Sequence, residues 1–320
     1  MMKKTISQCM IVKNEEKNIR RALSWGKDIM CEQIVVDTGS SDRTVEMARE
    51  MGAKIFFFPW VNDFAAAKNF AIDQAKGDWI AFLDADESFT PEDAAKIPEI
   101  LEYVGEDVDG LLTGIVDLDE NNHITSGGTM IRFFVNRPDL RYVGKIHEHL
   151  VRKGRSGLHL TDATEQLAFL HTGYQEQEKK DKSKFERNLN IILEILKQEP
   201  ENCDYLGYLG DTYSSDGKNE EARDAYKKAV AAMPEKLGVY DQRSSYTYTN
   251  LLRVSQCLNA PEAEVEAIYK EAVEKLPKEP DFDCVMGDWY WRKGQYEKAV
   301  QMYELAIAKL ETYGTVNRGI

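Results

Sequence analysis

Asp84 and Asp86 stand one residue apart at the end of an apolar run, residues 79–83, in the stretch WIAFLDADESFTPED. Two carboxylates at that spacing, with no basic residue between them, repel each other. A divalent cation relieves the repulsion, and hard oxygen ligands suit Mg2+ or Mn2+. Behind them Thr90, Pro91, Glu92 and Asp93 read as the cap and acidic first turn of a helix. The apolar run then reads as a buried strand that delivers carboxylates to its C-terminal end, where open α/β sheets bind ligands. Spacing alone is a weak signal, because Asp-x-Asp recurs at Asp107/Asp109, Asp117/Asp119 and Asp281/Asp283. Asp117/Asp119 also follows an apolar run, but DLDENN leading into HITSGGTMIRFFV reads as a hairpin turn. No role is assignable to Glu87.

Other groups with chemistry to offer are Lys13-Asn14-Glu15, the cluster at residues 37–42 with Asp37 and Asp42, and NDFAAAKN with Asp63, Lys68 and Asn69. Asn14, Glu15, Ser40, Ser41 and Asp42 serve equally well as helix caps; Asp37, at a strand end, does not. Arg132, Arg137, Arg141 and Lys145 lie close together in an acidic chain, either as surface charges or as contacts to a diphosphate or an acidic acceptor. In RYVGKIHEH, alternation puts His147 and His149 on one face of an extended segment and Glu148 on the other. His171 ends the apolar run LAFLH.

These residues need a scaffold. SQCMIV, EQIVVD, AKIFFFPW and WIAFLD read as strands, with helical segments between them and glycines, Gly52 and Gly77, closing two of those helices. Alternating strands and helices of these lengths give a parallel sheet covered on both faces. Right-handed crossovers bring three polar strand ends to one edge of it. From Asp109 to Leu170 the pattern changes to GLLTGIVDLD, HITSGGTMIRFFV and LAFLH, which read as antiparallel strands. No G-x-G-x-x-G turn marks a dinucleotide site.

The 320 residues suggest two domains, and the net charge of −14 without a Lys/Arg block argues against a nucleic-acid partner. No apolar run reaches membrane-spanning length, and the short basic-then-apolar start is not read as a signal peptide. Five dispersed cysteines without metal spacing imply reduced thiols and a cytoplasmic location.

MIVKNEEKNI, VVDTGSSDRT and GDWIAFLDADESF, in this order and spacing, resemble the family 2 glycosyltransferases with a GT-A nucleotide-sugar-binding domain. The resemblance covers about residues 5–175 and implies an α/β GT-A domain at 1–175. It implies a donor that is a nucleoside-diphosphate sugar, taken as a UDP-sugar, and a Mn2+ or Mg2+ cofactor. By that resemblance Asn14 and Glu15 border the nucleotide, Asp37 contacts base or ribose, and Lys68 and Asn69 approach the donor. Asp84 serves ribose or sugar, and Asp86 is the metal ligand with His171 as a further one; of the basic cluster, Arg132 is the candidate contact to the donor. Glu148, or His147, is the implied base for a single inverting displacement. Many family members carry two acids before the glycine where this chain has Asp37 and then Thr38, so the base contact stays open.

After residue 175 the sequence turns helical. YLGYLGDTYSSDGKNEEARDAYKKAVAAMP follows the roughly 34-residue tetratricopeptide pattern, with Leu209-Gly210, Tyr213, Ala222, Tyr226, Ala229 and Pro234 in place. MGDWYWRKGQYEKAVQMYELAI repeats it with Met286-Gly287, Tyr290, Ala299, Tyr303 and Ala306, and Tyr269, Ala272 and Pro277 mark a degenerate copy between. The expectation for 176–320 is a helical linker and an all-α solenoid that binds peptide or protein, or that pairs two copies. The acceptor is then a peptide, a protein or a glycan. The competing reading is a non-catalytic scaffold with a nucleotide-sensing domain. A nucleotidyltransferase needs a Gly-rich, basic loop near the first strand for its triphosphate, and this sequence has none there.

Overall fold

The computed structural model describes residues 4–172, 182–238 and 241–314. Contacts divide the chain into two units, Met1–Asp181 and Lys182–Gly319. The expected domain limit at 175/176 and the start of the linker helix lie outside the described residues.

The first unit opens with β1 (Ile6–Val12), α1 (Ile19–Ser24), β2 (Glu32–Asp37), α2 (Thr44–Glu50), β3 (Lys54–Phe57), α3 (Phe64–Asp73) and β4 (Trp79–Phe82). The four strands are parallel in the order β3-β2-β1-β4. Alternation along each strand feeds two faces. Met10, Val12 and Val35 meet Ile19 and Leu23 of α1 and Ala48 of α2. Cys9, Ile34, Ile80 and Phe82 meet Ala65, Ala71 and Ile72 of α3. Trp79, Ala81 and Leu83 face the other way.

Beyond β4 a short strand that the sequence reading missed, β5 (Glu87–Phe89), precedes α4 (Pro91–Tyr103). Thr90 caps α4 as expected, accepting the Asp93 N–H at 3.2 Å. The chain continues through β6 (Gly110–Leu118), β7 (Ile124–Val135), β8 (Leu140–Val143), β9 (His149–Arg152), β10 (Leu160–Asp162) and β11 (Ala168–His171). β6 and β7 form the expected antiparallel hairpin, and β7 joins the sheet antiparallel to β4. The Asp119 carboxylate closes the hairpin turn by accepting the N–H groups of Asn121 and His123. LAFLH departs from expectation: β11 runs parallel to β6 and antiparallel to β5. The long connection from β7 to β11 permits this, because only a tight hairpin imposes antiparallel pairing.

The second unit is helical: α5 (Lys182–Gln198), α6 (Cys203–Ser215), α7 (Asn219–Ala232), α8 (Gln242–Cys257), α9 (Glu262–Lys275), α10 (Asp281–Arg292) and α11 (Tyr296–Tyr313). The repeat signature has a steric cause. A Cβ on Gly210 would lie 2.4 Å from the Tyr226 ring, and one on Gly287 would lie 2.6 Å from the Tyr303 ring. Each tyrosine hydroxyl then donates to the acid after its glycine, Tyr226 to Asp211 and Tyr303 to Asp288. In the degenerate middle copy the same offset back from Tyr269 falls on Arg253, and the Tyr269 hydroxyl instead reaches Asp283 of α10 at 2.6 Å. The five cysteines are free thiols, with that of Cys9 pushed up by burial. Among the described residues no helix is long and apolar enough to cross a membrane.

Gly210→Ala tests the packing account. Alanine gains about 1 kcal/mol over glycine in a helix, but overpacking against a buried ring costs roughly 1–3 kcal/mol. The urea midpoint should fall without a change in slope; a raised midpoint would contradict the steric reading.

Candidate active site

The site is built on two buried cations. Lys68, on the inner face of α3, places its ammonium 5.1 Å from the ring centres of Phe82 and Tyr142. It lies 2.7 Å from Glu148 and 3.8 Å from Asp84. Arg132, on β7, pairs with Glu87 and approaches the second Asp84 oxygen at 3.4 Å. Its guanidinium stacks over Phe169. Burial disfavours both charges, but the neighbouring carboxylates outweigh it and hold both cations protonated: Asp84 and Glu148 around Lys68, Glu87 and Asp84 around Arg132. Glu87 also accepts the Asp84 N–H at 3.0 Å, which fixes the turn that carries the carboxylate pair. Burial would raise the Asp84 carboxyl, but Lys68 and Arg132 hold it below the usual carboxylate range. Its side chain is 42% exposed against 6% for Lys68, so it is the member of this group open to a ligand.

The second half of the site is a file of four side chains, Asp86, His171, Asp117 and Ser126. His171 Nε2 lies 3.4 Å from Asp86 Oδ2, and His171 Nδ1 lies 2.8 Å from Asp117 Oδ1. The Ser126 hydroxyl donates to the other Asp117 oxygen. The residues fit a divalent cation: two ligands at right angles on an ion with bonds of roughly 2.1 Å stand about 3 Å apart. Among the described residues no group of three or more His, Cys, Asp or Glu is arranged as a metal cage. An ion held by these two side chains would have positions left for water and substrate oxygens, as Mg2+ has at phosphate sites. The Asp86 carbonyl accepts from the N–H and hydroxyl of Thr172, and Arg21 donates to that hydroxyl at 2.6 Å.

The remaining expected residues divide. Asn14 takes a left-handed conformation with φ 59°, one that asparagine tolerates, and ties two strand ends together. Its N–H donates to Ser40 Oγ, and its Oδ1 accepts the Ser41 N–H. The Glu15 N–H donates to Thr44. The Asp37 carboxylate is buried and accepts the N–H groups of Gly39 and Ser40, so it shapes the loop beside its strand. Asp42 is engaged at the start of α2 through Thr44. The Asn69 amide exchanges two hydrogen bonds with the Tyr142 backbone, at 2.9 Å each. Of the basic cluster Arg132 reaches the site, whereas Arg137 pairs with Asp139 and Arg141 with Asp73. His147 has φ 55° and lies outside any strand, so the segment is not extended there, yet His147 and His149 are exposed and Glu148 between them is turned inward. Glu148 is at the site through Lys68.

The sequence reading missed Glu87, Asp117 and Arg21. Glu87 stood directly beside the carboxylate pair. Asp117 ends an apolar run and was absorbed into the hairpin. Only the pairing of β11 with β6 brings it to His171.

Comparison with known proteins agrees with this architecture. Residues 7–153 match the family described as Glycosyl transferase family 2, and residues 205–235 and 285–314 match tetratricopeptide repeats. Residues 7–153 are thus a family 2 glycosyl transferase domain of GT-A fold, followed by a helical region with tetratricopeptide repeats. The SPbeta prophage-derived glycosyltransferase SunS of Bacillus subtilis is 33% identical over 231 residues, 71% of this chain and 53% of that protein. This chain therefore spans about half the length of that relative. A TPR repeat-containing protein of Synechococcus elongatus is 29% identical over 316 residues, 95% of this chain and 75% of that one. The solved glucosyl-3-phosphoglycerate synthase of Mycobacterium tuberculosis, in complex with Mn2+, UDP and glucosyl-3-phosphoglycerate, is 22% identical with a TM-score of 0.29. That match covers 37% of this chain and 44% of the other.

The His171 file makes stability depend on pH when no metal is bound. Burial lowers the imidazole, but the hydrogen bonds to Asp86 and Asp117 outweigh it and raise it to about 9. A pKa raised on folding stabilises fully below the unfolded value near 6.5, and the gain is lost as pH rises through about 9. With chelator present, urea unfolding of wild type and His171→Gln should differ most at pH 6. The gap should shrink by up to about 3 kcal/mol by pH 10; a gap independent of pH would contradict the arrangement.

Proposed function

We propose that the chain is an inverting, metal-dependent glycosyltransferase that moves a sugar from a nucleoside-diphosphate donor, a UDP-sugar by preference, to a nucleophilic acceptor. The observation that carries this reading is the pair Asp86 and His171, at ligand spacing beside the open carboxylate of Asp84. Lys68 and Arg132 set two positive charges against the three carboxylates of Asp84, Glu87 and Glu148, and His171 stands between two more, Asp86 and Asp117. The opening therefore carries surplus negative charge, and a dianionic diphosphate enters it only together with a cation.

Mn2+ or Mg2+ held by Asp86 and His171 would supply positive charge against the diphosphate as the anomeric bond breaks. Asp84, held by Lys68 and Arg132, presents its carboxylate to ribose or sugar hydroxyls. The loops knitted by Asn14 and Asp37 form the nucleotide end, and Arg21 adds a cation beside the Asp86 backbone. Glu148 takes the acceptor proton in a single displacement, with Lys68 fixing its orientation at 2.7 Å. If the acceptor is a cysteine thiol, with a pKa of about 8.5, it needs less help from a base than a hydroxyl does. The tetratricopeptide helices favour a peptide or protein acceptor, or a contact between two copies of the chain, and the free thiols accord with a cytoplasmic setting.

Donor hydrolysis and transfer should require Mn2+ or Mg2+ and stop with chelator. Asp86→Ala should lose about 100-fold or more in kcat, in line with loss of a charge-stabilising group. Glu148→Gln should keep nucleotide affinity and lose about 10²–10⁴ in kcat, the range for a general base. Full activity of Asp86→Ala, or indifference to chelator, would overturn the metal mechanism. Nucleotide binding without turnover on any sugar or peptide would favour a sensing scaffold instead.

A further inference from the structure

We propose that Asp117 is a positioning residue for the metal site: it fixes the tautomer and ring orientation of His171 so that Nε2 presents its lone pair toward Asp86. The inference rests on the reading of Asp86 and His171 as metal ligands and extends it to a residue that itself touches neither metal nor substrate.

The register of the sheet sets the contact. His171 is the Cα partner of Asp117 on β6 and of Glu87 on β5, so β11 carries it between two acid-bearing strands. An ionised carboxylate has no proton to give, so at 2.8 Å the hydrogen in the Nδ1–Asp117 bond belongs to the imidazole. With Nδ1 as donor, a neutral ring leaves Nε2 as a lone pair. That lone pair faces Asp86 Oδ2, another acceptor, at 3.4 Å. Two acceptors facing each other need a positive centre between them, a proton or a metal ion. Asp117 is itself fixed. Its side chain is 12% exposed, and Ser126, its partner across the hairpin, donates to its second oxygen. A carboxylate behind a ligating histidine sets tautomer and basicity, and its loss weakens metal binding by about 10–100-fold.

A merely structural Asp117 would leave metal affinity alone, or would weaken it whether or not His171 is present. The test is Mn2+ binding in the presence of UDP, followed by loss of the free-Mn2+ electron spin resonance signal. Wild type, Asp86→Ala, Asp117→Asn, Asp117→Ala, His171→Ala and the double variant Asp117→Ala/His171→Ala are compared. UDP binding with chelator present serves as the control for folding. Asp117→Ala should weaken Mn2+ about 10–100-fold, and Asp117→Asn, which keeps the shape but not the charge, by less. The double variant should bind Mn2+ no more weakly than His171→Ala alone. Unchanged Mn2+ affinity in both Asp117 variants would overturn the assignment, as would a loss in the double variant that adds fully to that of His171→Ala. If wild type binds no Mn2+ with UDP, or Asp86→Ala binds it normally, the metal reading fails and this assignment falls with it. Loss in Asp86→Ala together with normal binding in the Asp117 variants overturns the assignment alone.

Discussion

Two cations buried in one small volume, Lys68 and Arg132, constrain everything around them. A buried charge is tolerated only when it is paired and hydrogen-bonded. Carboxylates must therefore gather there, and they come from two parts of the chain: Asp84 and Glu87 after β4, and Glu148 before β9. Each cation touches Asp84 from one side, so the carboxylate is held from both without being covered. Replacing either cation by an apolar residue would leave acids buried without partners. The open geometry of Asp84 is thus a consequence of what lies beneath it.

The same sheet places the second half of the site by register. Glu87 on β5 and Asp117 on β6 both face β11 at His171. A slip of one residue along β11 would turn His171 to the opposite face and break the file from Ser126 to Asp86. The core beneath these strands, Phe89, Phe133 and Phe169 packed ring against ring, specifies that register through burial. Packing on one side of the sheet and chemistry at its edge are therefore coupled through the pleat.

Much of this was legible in the sequence. The run ending in Asp84 and Asp86, the caps behind it and the alternation of strands and helices foretold the parallel half of the sheet and its loaded edge. The tetratricopeptide spacing foretold helices whose glycines admit tyrosine rings. What escaped were relations between distant segments. Asp117 looked like a turn residue because its partner lies in β11. Glu87 looked idle because its partner, Arg132, lies on β7. The match between the Asn69 amide and the Tyr142 backbone was likewise invisible, because the two lie in distant segments. The left-handed turn at His147 was not foreseen either, because it departs from the extended chain that alternation assumes. Pattern reading finds elements and their exposed ends, whereas buried pairs between elements depend on topology.

The central claim is that the Asp86 and His171 pair holds the cation that accompanies a nucleoside diphosphate. Crystals grown with UDP and Mn2+, with diffraction recorded at the manganese absorption edge, test it most directly. The account predicts an anomalous peak at roughly 2.0–2.3 Å from both the Asp86 carboxylate and His171 Nε2, with diphosphate oxygens completing the shell. UDP bound at the strand ends with no manganese peak between these two side chains would contradict it.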